Sequence, residues 1–153
     1  MMPSKKDFSP ISLDRPTWRT NISGDTMKLF VSLGAFFCFL GVLAGALGSH
    51  GLKEYLIQSN GLNNFNLATE YMFYHGLGLL FVAFARDRYP ALSFRYAGWL
   101  FIAGTLLFQG NLFLMTLTDS RMPGILTPVG GFCLMAGWLL LAFQALKIPR
   151  STD

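Results

Sequence analysis

Apolar residues in this chain gather into long runs rather than alternating with polar ones. Crossing about 30 Å of hydrocarbon as a helix takes about 20 predominantly apolar residues. Four stretches qualify: residues 29–48, about 65–85, 96–117 and about 128–146. The second is the most polar of the four. With every backbone group paired inside its own segment, helices suit such a chain, and the pattern predicts an all-α integral membrane protein.

The first run carries Gly34, Cys38, Gly41, Gly45 and Gly48 at alternating spacings of four and three, so they share one stripe of a helix. Small residues on a stripe let helix backbones approach closely in lipid. The fourth run repeats the spacing with Gly131, Met135, Trp138, Ala142 and Ala145. It opens on Thr127 and Pro128, read as an N-cap followed by a proline in the first turn. The connections at 86–95 and 118–126 are short, which makes neighbouring spans antiparallel. The predicted architecture is a compact antiparallel four-helix bundle. The longer connection, 49–64, places Leu52, Tyr55 and Leu56 at the spacing of a short amphipathic turn. Asn63 or Asn64 is then the candidate cap for the second span.

Composition agrees with the pattern: 52% of residues are hydrophobic and 13% charged, against roughly 25% charged in soluble domains. The net charge of +4 raises nucleic acid as a partner, but the distribution of basic residues argues against it. Ten of the 12 Lys and Arg residues fall in the N-terminal segment, the connection between spans two and three, and the C-terminus. Only Lys53 and Arg121 lie in the other two connections. By the positive-inside rule both termini are expected in the cytoplasm. The expected location is the bacterial cytoplasmic (inner) membrane, with the lipid bilayer as the first partner and room for a homo-oligomer or a larger membrane complex.

Residues 1–26 hold three prolines, mixed charge and no helical period, and are expected to be a disordered cytoplasmic tail. Met27 with Lys28 resembles a natural start, so this tail has the look of an upstream mis-start. Residues 27–147 form the membrane domain, and 148–153 a second short tail. Ala44, Gly45 and Ala46 imitate a signal-peptidase site, although the preceding run is longer than the usual 7 to 15 residues. Phe37 before Cys38 is too large for a lipoprotein site. Cys38 and Cys133 fall near mid-membrane and read as small buried hydrophobes.

Candidate chemistry centres on "EYMFYHGLGLL", residues 70–80. A charge at the bilayer centre costs about 3 kcal/mol or more, so the ionisable groups here need an account. At 100° per residue Tyr71, Tyr74, His75, Gly78, Val82 and Ala85 share an arc, opposite Phe73, Leu80 and Phe84, and that arc is expected to face inward. Counting about 1.5 Å per residue from a boundary near Ala68 leaves Glu70 interfacial and His75 about 10 Å deep, level with Gln109 on span three. Thr105, Gln109 and Thr116 share a face with Gly98. Asn111 lies about 200° from Gln109, so the two amides need different partners, a second chain or the lipid interface being one. With His50 and Thr127, these residues form a polar cluster in the outer leaflet.

That cluster supports more than one reading. A neutral histidine bonded to a glutamine, a tyrosine or a carbonyl holds helices together, a contribution of about 0.6 to 2 kcal/mol. A vestibule opening to the outer face would bind a small solute or pass protons. Haem or metal ligation by His50 and His75 is a further alternative, weakened by their difference in depth. No nucleophile–base pair, phosphate loop or carboxylate pair is present in the sequence, so no enzyme activity, catalytic residue or cofactor is expected.

The segments "GALGSHGLK" (45–53), "EYMFYHGLGLL" (70–80), "GWLFIAGTLLFQGNLFLMTLT" (98–118) and "GILTPVGGFCLMAGWLLLA" (124–142) resemble the small bacterial inner-membrane family known as domain of unknown function 423, which is similar to the mitochondrial transmembrane protein 256. The resemblance runs over about residues 27–146 and implies four spans with an uncleaved first one. Ser49 and Glu70 stand where the family more often has alanine and glutamine, and Gln109 where it has a small polar residue. The family brings no established activity. The leading functional expectation is a non-enzymatic accessory or assembly component acting through helix contacts.

Overall fold

A computed structural model describes residues 17–118 and 124–149. Five helices follow one another: α1 (Thr17–Ser49), α2 (Lys53–Gln58), α3 (Leu62–Arg88), α4 (Arg95–Thr118) and α5 (Leu126–Ala145). Four of them, all but the six-residue α2, are long and apolar enough to cross a membrane. The protein is therefore all-α with four candidate spans, as the hydrophobic runs predict.

The helix boundaries follow local chemistry. The chain turns between α2 and α3 at Asn60, whose φ of 53° lies in the left-handed region that asparagine tolerates better than most residues. Tyr89 and Pro90 follow the last turn of α3, where a proline cannot extend the helix.

Three expectations about helix ends change. Residues 17–26, expected as part of a disordered tail, are helical and continuous with α1. No proline interrupts them, and extending an existing helix costs far less than nucleating one. The remainder of that tail (1–16), residues 119–123 of the last connection and 150–153 of the C-terminal tail lie outside the described residues. Asn63 and Asn64 do not cap α3, because the helix starts earlier, with Gly61 at its N-cap position. Thr127 is not an N-cap either; α5 begins one residue before it. Pro128 still falls in the first turn, where its missing N–H has no helical partner to lose.

The spans pack as a row of antiparallel pairs, α1 on α3, α3 on α4 and α4 on α5, and α1 and α5 share no comparable seam. This places α3 and α4 at the centre: 44% of residues in the apolar window of each are buried, against 22% in α1 and α5. Across α1–α3, a Cβ added to Gly34 would lie 2.9 Å from Gly76 O, one on Gly41 3.2 Å from Phe73 Cβ, and one on Gly48 2.7 Å from the Phe65 ring. Gly45 is looser, 3.6 Å from Thr69 Cγ2. Across α4–α5 the seam runs through Gly130, Leu134, Gly137 and Leu141, all buried. A Cβ on Gly130 would lie 2.5 Å from Phe108 N, whereas one on Gly131 would meet only the Phe108 ring at 3.6 Å. The expected packing stripe through Gly131, Met135 and Trp138 is thus displaced by one residue, a rotation of about 100°. Spacing defines a stripe on both faces alike, and Met135 and Trp138 are in fact exposed.

One core of Phe30, Phe37, Leu79, Val82, Phe94, Phe101 and Leu134, among others, ties the four spans together. Phe30 reaches past α3 to Gly98 and packs edge-on against Trp99 at 5.8 Å. The antiparallel order gathers Lys28, Arg86, Arg88, Arg95 and Lys147 at one end of the spans and Lys53 at the other.

Candidate functional site

His75 is the middle residue of α3, thirteen residues from either end, and is only 5% exposed. Its Nδ1 lies 2.7 Å from the carbonyl oxygen of Tyr71, one turn earlier. A carbonyl only accepts, so Nδ1 carries the proton and donates it. The neutral ring then has a lone pair on Nε2, and no described residue bonds to that nitrogen.

Gln109 of α4, fully buried, brings Nε2 of its amide to 3.4 Å from the same Nδ1. Because Nδ1 already donates to Tyr71, it has no lone pair to offer the amide N–H, and the 3.4 Å approach is a contact rather than a hydrogen bond. Gln109 Oε1 and Thr105 Oγ1, one turn apart on α4, have no hydrogen-bond partner. Thr116, further along, satisfies itself on Leu112 O at 2.9 Å and Phe113 O at 3.1 Å.

Around the imidazole stand aromatic rings. Phe101 packs edge-on at 5.7 Å, Tyr71 lies 5.8 Å away and Trp138 6.1 Å. Tyr71 stacks on Phe108 at 5.6 Å with an interplanar angle of 23°. Because α3 and α5 both lean on α4 without a broad seam of their own, a groove remains between them. It measures about 570 Å³ and is lined by Tyr71, Tyr74, His75, Phe108, Gly131, Leu134, Met135 and Trp138. The wall is mostly apolar, and His75 supplies a buried polar group with a nitrogen to spare. A second depression, of about 490 Å³ and lined by Tyr74, Leu77, Gly78, Phe81 and Trp138, shares Tyr74 and Trp138 with the first.

The other sequence candidates are distributed as follows. Tyr71 and Tyr74, expected to face inward with His75, are 38% and 52% exposed. They flank the arc that α4 covers, so they form the rim of the groove instead. Glu70 is exposed, and so is His50, in the turn after α1. Gly48 packs on Phe65, and His75 lies ten residues, about 15 Å, further along α3, so His50 and His75 do not converge on one ion. Among the described residues no group of three or more His, Cys, Asp or Glu side chains could hold a metal. Asn111, which faces away from Gln109 as its spacing requires, finds its partner within the chain: Nδ2 donates to Thr127 Oγ1 at 2.7 Å. Its Oδ1, also buried, has no hydrogen-bond partner.

Sequence reasoning missed Phe108 and Leu134 as groove residues and put Met135 and Trp138 on a packing stripe. An aromatic or aliphatic residue in an apolar run carries no sign of whether it meets a helix, a lipid or a cavity. The only available signal was the ring content near His75.

Four helices long and apolar enough to cross a membrane, with a mostly apolar groove between two of them, define a multi-pass membrane protein. Comparison with known sequences makes this particular: residues 44–131 match the family described as "Protein of unknown function (DUF423)". The UPF0382 membrane protein SH2409 of Staphylococcus haemolyticus is 37% identical over 121 residues, covering 79% of this chain and 98% of that protein. The UPF0382 membrane protein YwdK of Bacillus subtilis is 38% identical over 122 residues, with 79% and 98% covered. The chain belongs to this family of bacterial membrane proteins. No solved structure matches it.

Proposed function

We propose that this protein is a non-enzymatic membrane component that binds a small, membrane-borne ligand in the groove between α3 and α5. The observation that carries the reading is His75: buried, committed through Nδ1 to Tyr71, and left with an unpartnered Nε2 in the wall of an aromatic-lined groove. His75 lines the groove, so an acceptor nitrogen without a protein partner is available there to a ligand's donor. The groove's volume falls in the range of small-molecule sites, roughly 300–1,000 Å³. The exposed apolar faces of α1 and α5 are accounted for by lipid alone.

The test is purification of the full chain in mild detergent, followed by extraction and mass spectrometry of bound small molecules. The expected result is one species near stoichiometric with the wild-type protein and depleted in His75→Phe, which keeps a ring in place but removes the acceptor. A preparation without such a species, recovered instead with a stoichiometric protein partner, would replace this reading by that of an assembly component acting through helix contacts.

A further inference from the structure

The direction of one hydrogen bond narrows what the groove accepts, and the inference rests on the ligand-binding reading above. We propose that the occupant is a lipid-soluble hydroxyarene, a hydroquinone-type ring with an apolar tail, whose hydroxyl donates to His75 Nε2.

Three observations carry this. With Nδ1–H spent on Tyr71 O at 2.7 Å, a neutral His75 offers the groove an acceptor and no donor. A ligand with a hydroxyl satisfies it; one that presents only carbonyl oxygens, such as a quinone, sets lone pair against lone pair. The walls are rings, with Tyr71 stacked on Phe108 and Trp138 facing His75, and such walls favour a flat aromatic headgroup held by offset or edge contacts. Finally, the second depression, lined by Leu77 and Phe81, borders the first through their shared Tyr74 and Trp138 and offers an apolar surface along which a tail can lie. No redox step is part of the proposal; the groove discriminates the reduced, hydroxylated ring from its oxidised form by hydrogen-bond polarity.

The experiment uses the full-length protein in phospholipid nanodiscs, with bound ligand counted by native mass spectrometry under anaerobic conditions. Four probes share one decyl tail: a hydroquinone, its quinone, its dimethyl ether, and the plain aliphatic alcohol. The hydroquinone is expected to bind about tenfold more tightly than the quinone and the ether, the scale of one hydrogen bond gained in an apolar site, and more tightly than the alcohol, which keeps the hydroxyl but lacks the ring contacts. In His75→Phe the hydroquinone should fall to the level of the ether while the ether is unchanged. Equal binding of hydroquinone and ether, a preference for the quinone, or an aliphatic alcohol bound as tightly as the hydroquinone would overturn the proposal, and the probe series does so on the wild-type protein alone. If a different small molecule co-purifies and is lost in His75→Phe while the hydroquinone shows no preference, the binding site stands and the hydroxyarene falls.

Discussion

Gly34 of α1 and Gly76 of α3 meet face to face: a Cβ on either would lie 2.9 Å from the carbonyl oxygen of the other. A Cβ on Gly76 would also come within 2.7 Å of Cys38 Sγ. The thiol itself points to Phe73 O at 3.8 Å. The residue after His75 is therefore pinned to α1 by backbone contact, and the groove histidine sits on a helix that cannot slide along its neighbour. The glycine stripe holds α3 in the register that turns His75 toward α4 and α5.

Gly76→Ala is expected to destabilise the protein by about 1–3 kcal/mol, the usual effect of overpacking a tight interior. Gly45→Ala, whose Cβ would make an ordinary 3.6 Å contact, should leave stability unchanged or raise it through about 1 kcal/mol of helix propensity. Reversible unfolding in mixed micelles measures both. Equal losses at the two positions would mean that the α1–α3 seam is not where the backbone approach places it.

A matching pair exists on α5. Gly130→Ala should cost about 1–3 kcal/mol, because the new Cβ meets the Phe108 backbone at 2.5 Å, whereas Gly131→Ala, 3.6 Å from the Phe108 ring, should be near neutral. The reverse order would show that α5 is rotated by one residue relative to α4.

Asn111 and Thr127 bridge α4 and α5 at 2.7 Å. A double-mutant cycle of Asn111→Ala and Thr127→Val should return a coupling of about 0.6–2 kcal/mol, the range of interhelical hydrogen bonds in membranes. A coupling indistinguishable from zero would remove this bond from the account of how the helices associate.

Gln109 lies fully buried, yet its Oε1 has no partner. Replacing it by methionine, similar in length, removes a buried amide that is poorly satisfied, so Gln109→Met should change stability by less than about 1 kcal/mol or increase it. A loss of 2 kcal/mol or more would mean that the amide is a principal tie between α3 and α4.

The end that carries Lys28, Arg86, Arg88, Arg95 and Lys147 is expected on the cytoplasmic side by the positive-inside rule. Single cysteines at Arg88 and Lys53, in a background lacking Cys38 and Cys133, should react with an impermeant maleimide from opposite sides of the membrane. Labelling of the Arg88 position from outside intact cells would invert the topology.

Much of the architecture was legible in the chain because hydrocarbon imposes a simple requirement. A run of about 20 apolar residues must cross as a helix, short connections make neighbours antiparallel, and a stripe of small residues marks close approach. Counting rise per residue from opposite ends also sets His75 and Gln109 at one depth, and the two side chains do lie together. Periodicity was a poorer guide to direction. It grouped Tyr71 and Tyr74 with His75 on one inward arc, and it chose Gly131 over Gly130, because a helix in lipid can be apolar all round and its pattern then has no preferred inner face.

What the sequence determined by itself is the number of spans, their order and the stripe on α1: properties of single segments in a solvent that fixes their conformation. Which helices lie at the centre, which side of α5 meets α4, that Asn111 is answered by Thr127, and that a groove remains beside His75 were decided only by the tertiary structure. These depend on how volumes fit between helices, with α1 and α5 placed on either side of the α3–α4 pair. In lipid, packing and a few hydrogen bonds set that arrangement with no added hydrophobic drive between helices, and neither is visible one segment at a time.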